Sequence, residues 1–522
     1  MSAVATATPA PATRNPWLIA IVVTGAAFIE LLDTTIVNVS LPHIAGSLSS
    51  GQDDATWTLT SYLVANGIVL PISGWLSTVF GRKRFFLTCI LSFTAASAMC
   101  GLSANLPQLI FFRVLQGLFG GGLQPTQQAI LLDTFPPEQR GRAFSVTAIA
   151  TVLGPVIGPA LGGWITDNYS WRWIFFVNVP IGIVAWFLTM QVVEDPPASR
   201  ADPDKARRID FPGLALIAIG FGCLQVMLDR GEDDDWFSSD FICIFAALAF
   251  AGLAGAVAWL SVAKRPVVDL HVFANRGFSA GCVLIFLFAG VLYAGAVMMP
   301  QLAQQQLGYT ATLAGLILSP GALVACCMFP VVNKLMDFVP VRNLVMCGFF
   351  VLAMSLFVLS HINAQVDFPY LVALRAFQTI GIAMLFAPIA VATTSSLRPE
   401  QNNDGAALFV MARNVGGSVG IALATAFVAT RTQAHMAYLT DHLTPLDRGF
   451  QLDLARHAAS LMTMGRIALQ SQTEALGVTY RALQKQSAIL GYMDGFAALG
   501  AVALAVVPVG LSLRKGGRGG RG

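Results

Sequence analysis

Fourteen times between residues 17 and 513 the chain returns to an apolar run long enough to cross a lipid bilayer as an α-helix. The runs cover residues 17–41, 57–80, 85–104, 109–132, 143–165, 173–192, 211–228, 241–263, 278–299, 311–335, 344–361, 370–397, 406–430 and 488–513. No other feature restricts the fold as much. Backbone in hydrocarbon must satisfy its own hydrogen bonds, so such runs are helices and not strands. Only 11% of the residues are charged, against about 25% in soluble domains. The chain therefore reads as an all-α integral membrane protein. A net charge of +3 is too small to point to nucleic acid. The first run is too long for a signal-peptide core and is expected to stay as the first membrane helix. With the N-terminus inside, 20 of the 31 Lys and Arg fall in inner segments or at the inner end of a span, 8 in outer segments and 3 deeper within spans. That bias predicts that both termini are cytoplasmic.

The chain also repeats itself. The stretch RVLQGLFGGGLQPTQQAILLDTFPPEQ (113–139) sets an arginine in an apolar run, then a glutamine, a glycine cluster, Pro125 and a Pro-Glu-Gln exit. Arg375, Gln378, Gly381, Pro388 and Pro399-Glu400-Gln401 restate it. Arg113 and Arg375 are 262 positions apart, and so are Pro137 and Pro399. That offset exceeds two adjacent six-helix units by the length of the seventh and eighth runs. The expected plan is two six-helix halves, 17–193 and 278–513, with a two-helix insertion at 211–263. Cytoplasmic segments 1–16, 194–210, 264–277 and 514–522 complete the inner side. The second half carries a long outer loop, 431–487, with apolar residues at helical spacing. A folded cap and a docking surface both fit it. Paired six-helix halves are a transporter architecture with the substrate site between them near the midplane.

Charge inside a membrane costs roughly 2.5–3.5 kcal/mol at mid-helix and needs a reason. Glu30 and Asp33 lie three apart in the first run and share a helical face. Two close carboxylates in low dielectric do not both ionise cheaply, so one is expected to hold a proton near neutral pH. Asp33 is the expected proton carrier. For Glu30, coupling and a structural role both stay open. Arg113 must be paired or hydrogen-bonded and is expected to couple to a carboxylate. Gln116, Gln124, Gln128, Gln378, Arg413 and Asn414 are candidates to line a substrate path, and each alone also fits a packing contact. For Arg375 and Arg413, holding helices together is the leading expectation. The run GPVIGPALGGW (154–164) puts Gly154, Gly158 and Gly162 on one face beside Gly163, with Pro155 and Pro159 bending the helix. That suits close packing at a gate. At the inner end of the second run, Gly74 and Gly81 precede Arg82, Lys83 and Arg84, which anchor topology or latch the inner side. The eight cysteines lie in apolar runs without Cys-x-x-Cys spacing and read as packing residues. The six histidines show no metal-ligand spacing, no catalytic constellation is visible, and no Gly-x-x-x-x-Gly-Lys-Ser/Thr loop occurs. These features argue against an enzyme, a cofactor and an ATP-driven pump.

Four stretches together resemble the major facilitator superfamily, in its fourteen-helix drug:proton antiporter branch. They are LDTTIVNVSLPHI (32–44), the Arg113-x-x-Gln116-Gly117 run, the 154–163 glycine-proline run and WRWIFFVNVPIG (171–182). Within that branch the chain, including LDRGEDDDWFSSD (228–240), is most similar to the inner-membrane subunits of multidrug efflux systems. The resemblance implies export of hydrophobic or weakly acidic toxic compounds from a bacterial inner membrane in exchange for protons. It implies no cofactor, a periplasmic adaptor like EmrA and an outer-membrane channel like TolC, which favours docking for the outer loop. In the loop motif after the second helix an aspartate is usual where this chain has Thr78, and Asp337 marks the matching place in the second half. The competing expectation is a proton-coupled importer of an organic acid, against which the glycine-proline run argues.

Overall fold

The computed structural model describes residues 15–194, 210–264, 266–395, 397–398, 401–441, 443, 447–463 and 468–512. The expected tail 1–16, the linker 194–210 and the basic tail 514–522 lie wholly or almost wholly outside the described residues. Pro399 and Glu400 lie outside them too, and of Pro155 only the backbone is described.

The elements in chain order are α1 (Pro16–Ser47), α2 (Gln52–Phe80), α3 (Arg82–Gly101), α4 (Leu106–Gly120), α5 (Leu123–Thr134), α6 (Arg140–Asn168), α7 (Trp173–Phe176), α8 (Asn178–Val192), α9 (Phe211–Arg230), α10 (Asp240–Val262), α11 (Arg276–Gln301), α12 (Ala311–Met336), α13 (Val341–Leu359), α14 (Phe368–Thr394), α15 (Asn402–Asp441), α16 (Arg448–Thr463) and α17 (Ala468–Val506). No strand occurs among the described residues. Starts follow capping chemistry. Asn15 accepts from the Trp17 N–H ahead of Pro16, Asn105 from Gln108, Asp210 from Gly213 and Thr310 from Leu313.

Thirteen helices among the described residues are long and apolar enough to cross a membrane. The remaining expected run, 109–132, is helical but broken, because α4 and α5 meet at Gly121 and Gly122. The break lies where the chain presses on its neighbours: a Cβ on Gly121 would meet the Asn66 carbonyl oxygen at 2.6 Å. The fold is thus the all-α membrane architecture that hydropathy predicts, with the 109–132 span broken at its glycines and the 173–192 span interrupted at Val177 between α7 and α8.

In the first half α1 packs along α6, α2 along α4 and α3 along α8. The second half repeats this with α11 along α15, α12 along α14 and α13 along α17. Between the halves α6 packs on α12 and α2 on α15. Each half therefore offers its second helix to the fifth helix of the other. The helices α9 and α10 pair with each other, and α9 lies against α2. Arg230 at the end of α9 donates to Thr56 at 2.8 Å and pairs with Asp234 at 3.3 Å.

Helices α15 and α17 are 40 and 39 residues long. At ~1.5 Å per residue each spans roughly 60 Å, about twice the hydrocarbon core. Hydropathy marks only 406–430 and 488–513 because it reads the lipid-covered part, while the helices continue into water. There Arg431 Nε donates to Asp494 at 2.6 Å, His435 pairs with the same carboxylate at 2.8 Å, and α16 packs on α17. The described part of 431–487 is accordingly helical. This face is called the cap face below, and the opposite one, with Arg82, the basic face.

Candidate functional site

The longest-range polar contacts of the first half converge on the middle of α1. Asp33 is fully buried and so is Arg113 of α4. Arg113 Nη1 donates to Asp33 Oδ2 at 2.5 Å. Asp33 Oδ1 accepts from Gln116 Nε2 at 2.9 Å and from Asn178 Nδ2 of α8 at 2.8 Å. Arg113 also donates from Nε to the Thr58 carbonyl at 2.9 Å and from Nη1 to Gln116 Oε1 at 2.9 Å. The Tyr62 ring lies 4.1 Å beneath the guanidinium carbon. Three helices besides α1 therefore hold one ion pair out of water. Such a pair is costly to break from one side, by about 3–5 kcal/mol, because the orphaned charge stays buried.

Glu30, one turn away on α1, has a separate set of partners. Its oxygens accept from Asn66 Nδ2 of α2 at 2.9 Å and from Gln124 Nε2 of α5 at 2.5 Å. Gln124 Oε1 in turn accepts from Arg413 of α15. Arg413 is 1% exposed and its Nε donates to Asn414 at 3.3 Å.

The glycines of α6 put that helix against the same stretch of α1. A Cβ on Gly158 would run into Thr35, and one on Gly154 would touch Leu31 at 3.2 Å. Thr35 Oγ1 donates to the Gly154 carbonyl at 3.2 Å. Gly162 faces Ile36 in the same way, and a Cβ on Gly163 would reach Val39 at 3.8 Å, while Pro159 is half-buried. The glycine-proline run is thus the bed of the helix that carries both carboxylates.

In the second half Arg375 Nη1 donates to Gln378 Oε1, as Arg113 does to Gln116. Among the described residues no carboxylate pairs with Arg375. A Cβ added to Gly295 of α11 would lie 3.6 Å from Gln378 Nε2. Gly295 is 262 positions after Asp33.

The basic face is closed by contacts between the halves. Arg82 donates to Asp133 and to Asn403, and Asn402 Nδ2 donates to Asp133 at 2.8 Å. Asn403 Nδ2 donates to Thr78 Oγ1 at 3.2 Å, and Asn333 Nδ2 donates to Ser145 at 2.9 Å. Gly74 lies against Asn403, and Gly81 turns the chain with φ 84°, which only glycine adopts freely. Of the basic cluster only Arg82 enters this seam. Lys83 donates to the Met190 carbonyl, and Arg84 is exposed. Asp337 is exposed at the end of α12 and forms no ion pair among the described residues. Asp133 supplies the carboxylate instead, from the end of the repeated α5 segment.

Toward the cap face lies a cavity of about 700 Å³, lined by Leu63, Gln225, Asp229, Met298, Ser418 and Tyr492 among others. Gln116, Gln124, Gln128, Gln378, Arg413 and Asn414 are not among its lining residues. All but Asn414 are buried, and the hydrogen bonds above occupy all but Gln128. Asn178, Asn66, Asp133 and Asn403 are the residues that sequence reasoning misses. Asn178 and Asn66 are lone polar residues within apolar runs, while Asp133 and Asn403 stand at or between run ends among other polar residues.

The sequence profile of the Major Facilitator Superfamily matches residues 23–421. The multidrug export protein EmrB of Escherichia coli (strain K12) is 38% identical over 456 residues, covering 87% of this chain and 85% of that protein. The fatty acid resistance protein FarB of Neisseria gonorrhoeae is 33% identical over 484 residues, covering 93% of each. Among solved structures, the proton:xylose symporter XylE superposes with a TM-score of 0.57 at 14% identity, over 80% of this chain and 90% of that one. That likeness speaks to the fold alone.

Proposed function

The chain belongs to the major facilitator superfamily, and on that premise we propose that it exports hydrophobic, including weakly acidic, small molecules in exchange for protons. It is a multi-pass membrane transporter and not an enzyme. The observation that carries the exchange reading is the Asp33–Arg113 pair, sealed from water and held by α1, α2, α4 and α8. Arg113 stays charged throughout a cycle. A proton arriving on Asp33 cancels the charge that holds it, so proton arrival and the loosening of the side-chain tie between α1 and α4 are one event. The glycine bed of α6 lies under the same turns of α1 and would transmit the shift.

Both termini are proposed to be cytoplasmic, in a bacterial inner membrane, from the excess of Lys and Arg on the basic face. The seam through Arg82, Asp133, Asn402 and Asn403 is then a closed inner gate, and the cavity near Ser418 opens outward. No cofactor is invoked. One proton moving down ~150 mV releases about 3.5 kcal/mol, enough for a gradient of roughly 300-fold. The names of relatives, multidrug export and fatty acid resistance, support lipophilic cargo.

The cap is proposed to meet a periplasmic adaptor like EmrA, and through it an outer-membrane channel like TolC. Tyr438, Leu452, Leu476 and Tyr480 are each at least half exposed on its helices. Transport in everted vesicles tests the exchange reading. An imposed acid interior should drive accumulation of a lipophilic dye or fatty acid in the native protein, and Asp33→Asn should abolish it with the protein still in the membrane. Normal accumulation by that variant would refute the reading.

A further inference from the structure

The two carboxylates of α1 differ in whom they address. Among the described residues, every hydrogen-bond donor to Asp33 belongs to the first half. Glu30 is tied to the second half as well, through one amide. Gln124 Nε2 donates to Glu30 Oε2 at 2.5 Å, and Gln124 Oε1 accepts from Arg413 Nη2. An ionised carboxylate draws the amide hydrogens toward itself and enriches the amide oxygen, so the bond to Arg413 strengthens when Glu30 is charged. Arg413 is buried where α15 meets α5, and its Nη1 has no hydrogen-bond partner among the described residues. A guanidinium does not shed its proton there, so its balance rests on nearby negative charge. The charged and titratable groups facing Glu30 are Asp33 on its own helix, Tyr62 on α2, Tyr293 on α11 and Arg413 on α15. Asp33 is committed to Arg113, which leaves Glu30 as the carboxylate for Arg413.

We propose that Arg413 reads the charge on Glu30 across the interface through Gln124, so that a proton on Glu30 releases the second half from the first. This rests on the proton-exchange reading and adds to it the step by which the halves learn of the proton. While Glu30 is ionised, the chain Glu30–Gln124–Arg413 fastens α1, α5 and α15 together. When a proton joins the carboxylate, Gln124 loses its anchor and Arg413 its balancing charge. The α5–α15 contact then loosens. Gln124 and Arg413 are positioning residues in this scheme, since neither needs to touch cargo.

Hydrogen–deuterium exchange of the full-length protein in lipid nanodiscs tests this, with rates corrected for intrinsic pH dependence. The segments to follow are the start of α5 and the middle of α15. In the native protein, exchange there should rise at least about fivefold from alkaline to mildly acid buffer, the lower end of ordinary coupling energies. Glu30→Gln should show the fast exchange at both pH values. Arg413→Gln should do the same, and the double variant should go no further than either single one. Arg413→Lys keeps the charge with a shorter reach and should regain part of the pH step. Melting temperature and membrane level identify a variant that merely misfolds, and Gln124→Ala then serves as the second way to cut the chain. A pH step that survives in Glu30→Gln, or effects of Glu30→Gln and Arg413→Gln that simply add, would overturn the proposal. A purely structural contact would give those results, lowering stability equally at all pH. Asp33→Asn should lose transport yet keep the pH step. If it transports normally, the exchange reading fails while the relay stands or falls on its own data.

Discussion

The two copies of the repeated helix carry the same arginine and glutamine and do different things with them. In α4, Arg113 and Gln116 bond each other and both bond Asp33. In α14, Arg375 and Gln378 bond each other, and Gln378 faces Gly295, where the first half has its aspartate. A duplicated scaffold thus supports one ion pair and, among the described residues, one cation without a carboxylate. The arginine–glutamine bond is the shared, structural part of the motif. The carboxylate is the part that only one copy carries, and under the proposed exchange it is where a proton would act.

That comparison can be broken in order of expected effect. Asp33→Asn removes the charge paired with Arg113. Breaking a buried pair costs about 3–5 kcal/mol, so proton-driven export should fall by about 100-fold or more, read as initial dye uptake in everted vesicles. Gly158→Val should come next. Its side chain collides with Thr35 and pushes α6 off the acidic helix. Overpacking costs about 1–3 kcal/mol, to be seen as a lower melting temperature of the purified protein and reduced export. Gly295→Asp would sharpen the comparison directly, since there is room beside Gln378. A carboxylate there should pair with Arg375 and lock the second half, lowering export by about tenfold, and Arg375→Gln in the same chain should relieve the loss, a coupling of about 1–2 kcal/mol by double-mutant cycle. Arg375→Gln alone should matter least, within about threefold of native export, because it breaks no charge pair. If Arg375→Gln proved as damaging as Asp33→Asn, the division between a responsive and a structural copy would be wrong.

The same contrast separates what is legible in the amino-acid order from what is not. Arg113, Asp33 and Glu30 stand out because a charge in an apolar run is expensive wherever the fold puts it. The halves stand out because a duplicated pattern at one offset survives in local composition. Their partners do not stand out. Asn178 reaches Asp33 from 145 positions away and Asn403 reaches Arg82 from 321. Neither a single asparagine in an apolar run nor one in a polar turn carries an address. Asp337 reads as the second-half counterpart because it sits near Lys334 and Arg342 in sequence, yet it is exposed at the end of α12, and the carboxylate that meets Arg82 is Asp133. The lengths of α15 and α17 are hidden for a related reason, since hydropathy falls where a helix leaves lipid although its hydrogen bonds continue.

The sequence by itself determined that this chain crosses a membrane many times as helices, that it is built of two related halves with a hairpin between them, and that a few charges are buried by design. Those properties follow from hydrophobic transfer and backbone hydrogen bonding, which act on each segment alone. Only the tertiary structure decided which charge meets which. It gave Asp33 to Arg113 within one half and joined Glu30 to Arg413 across two through Gln124, although the carboxylates are three residues apart on one helix. The reason is geometric. A side chain's partners are set by the helices that close around its face, and helix packing joins residues that the chain order keeps far apart.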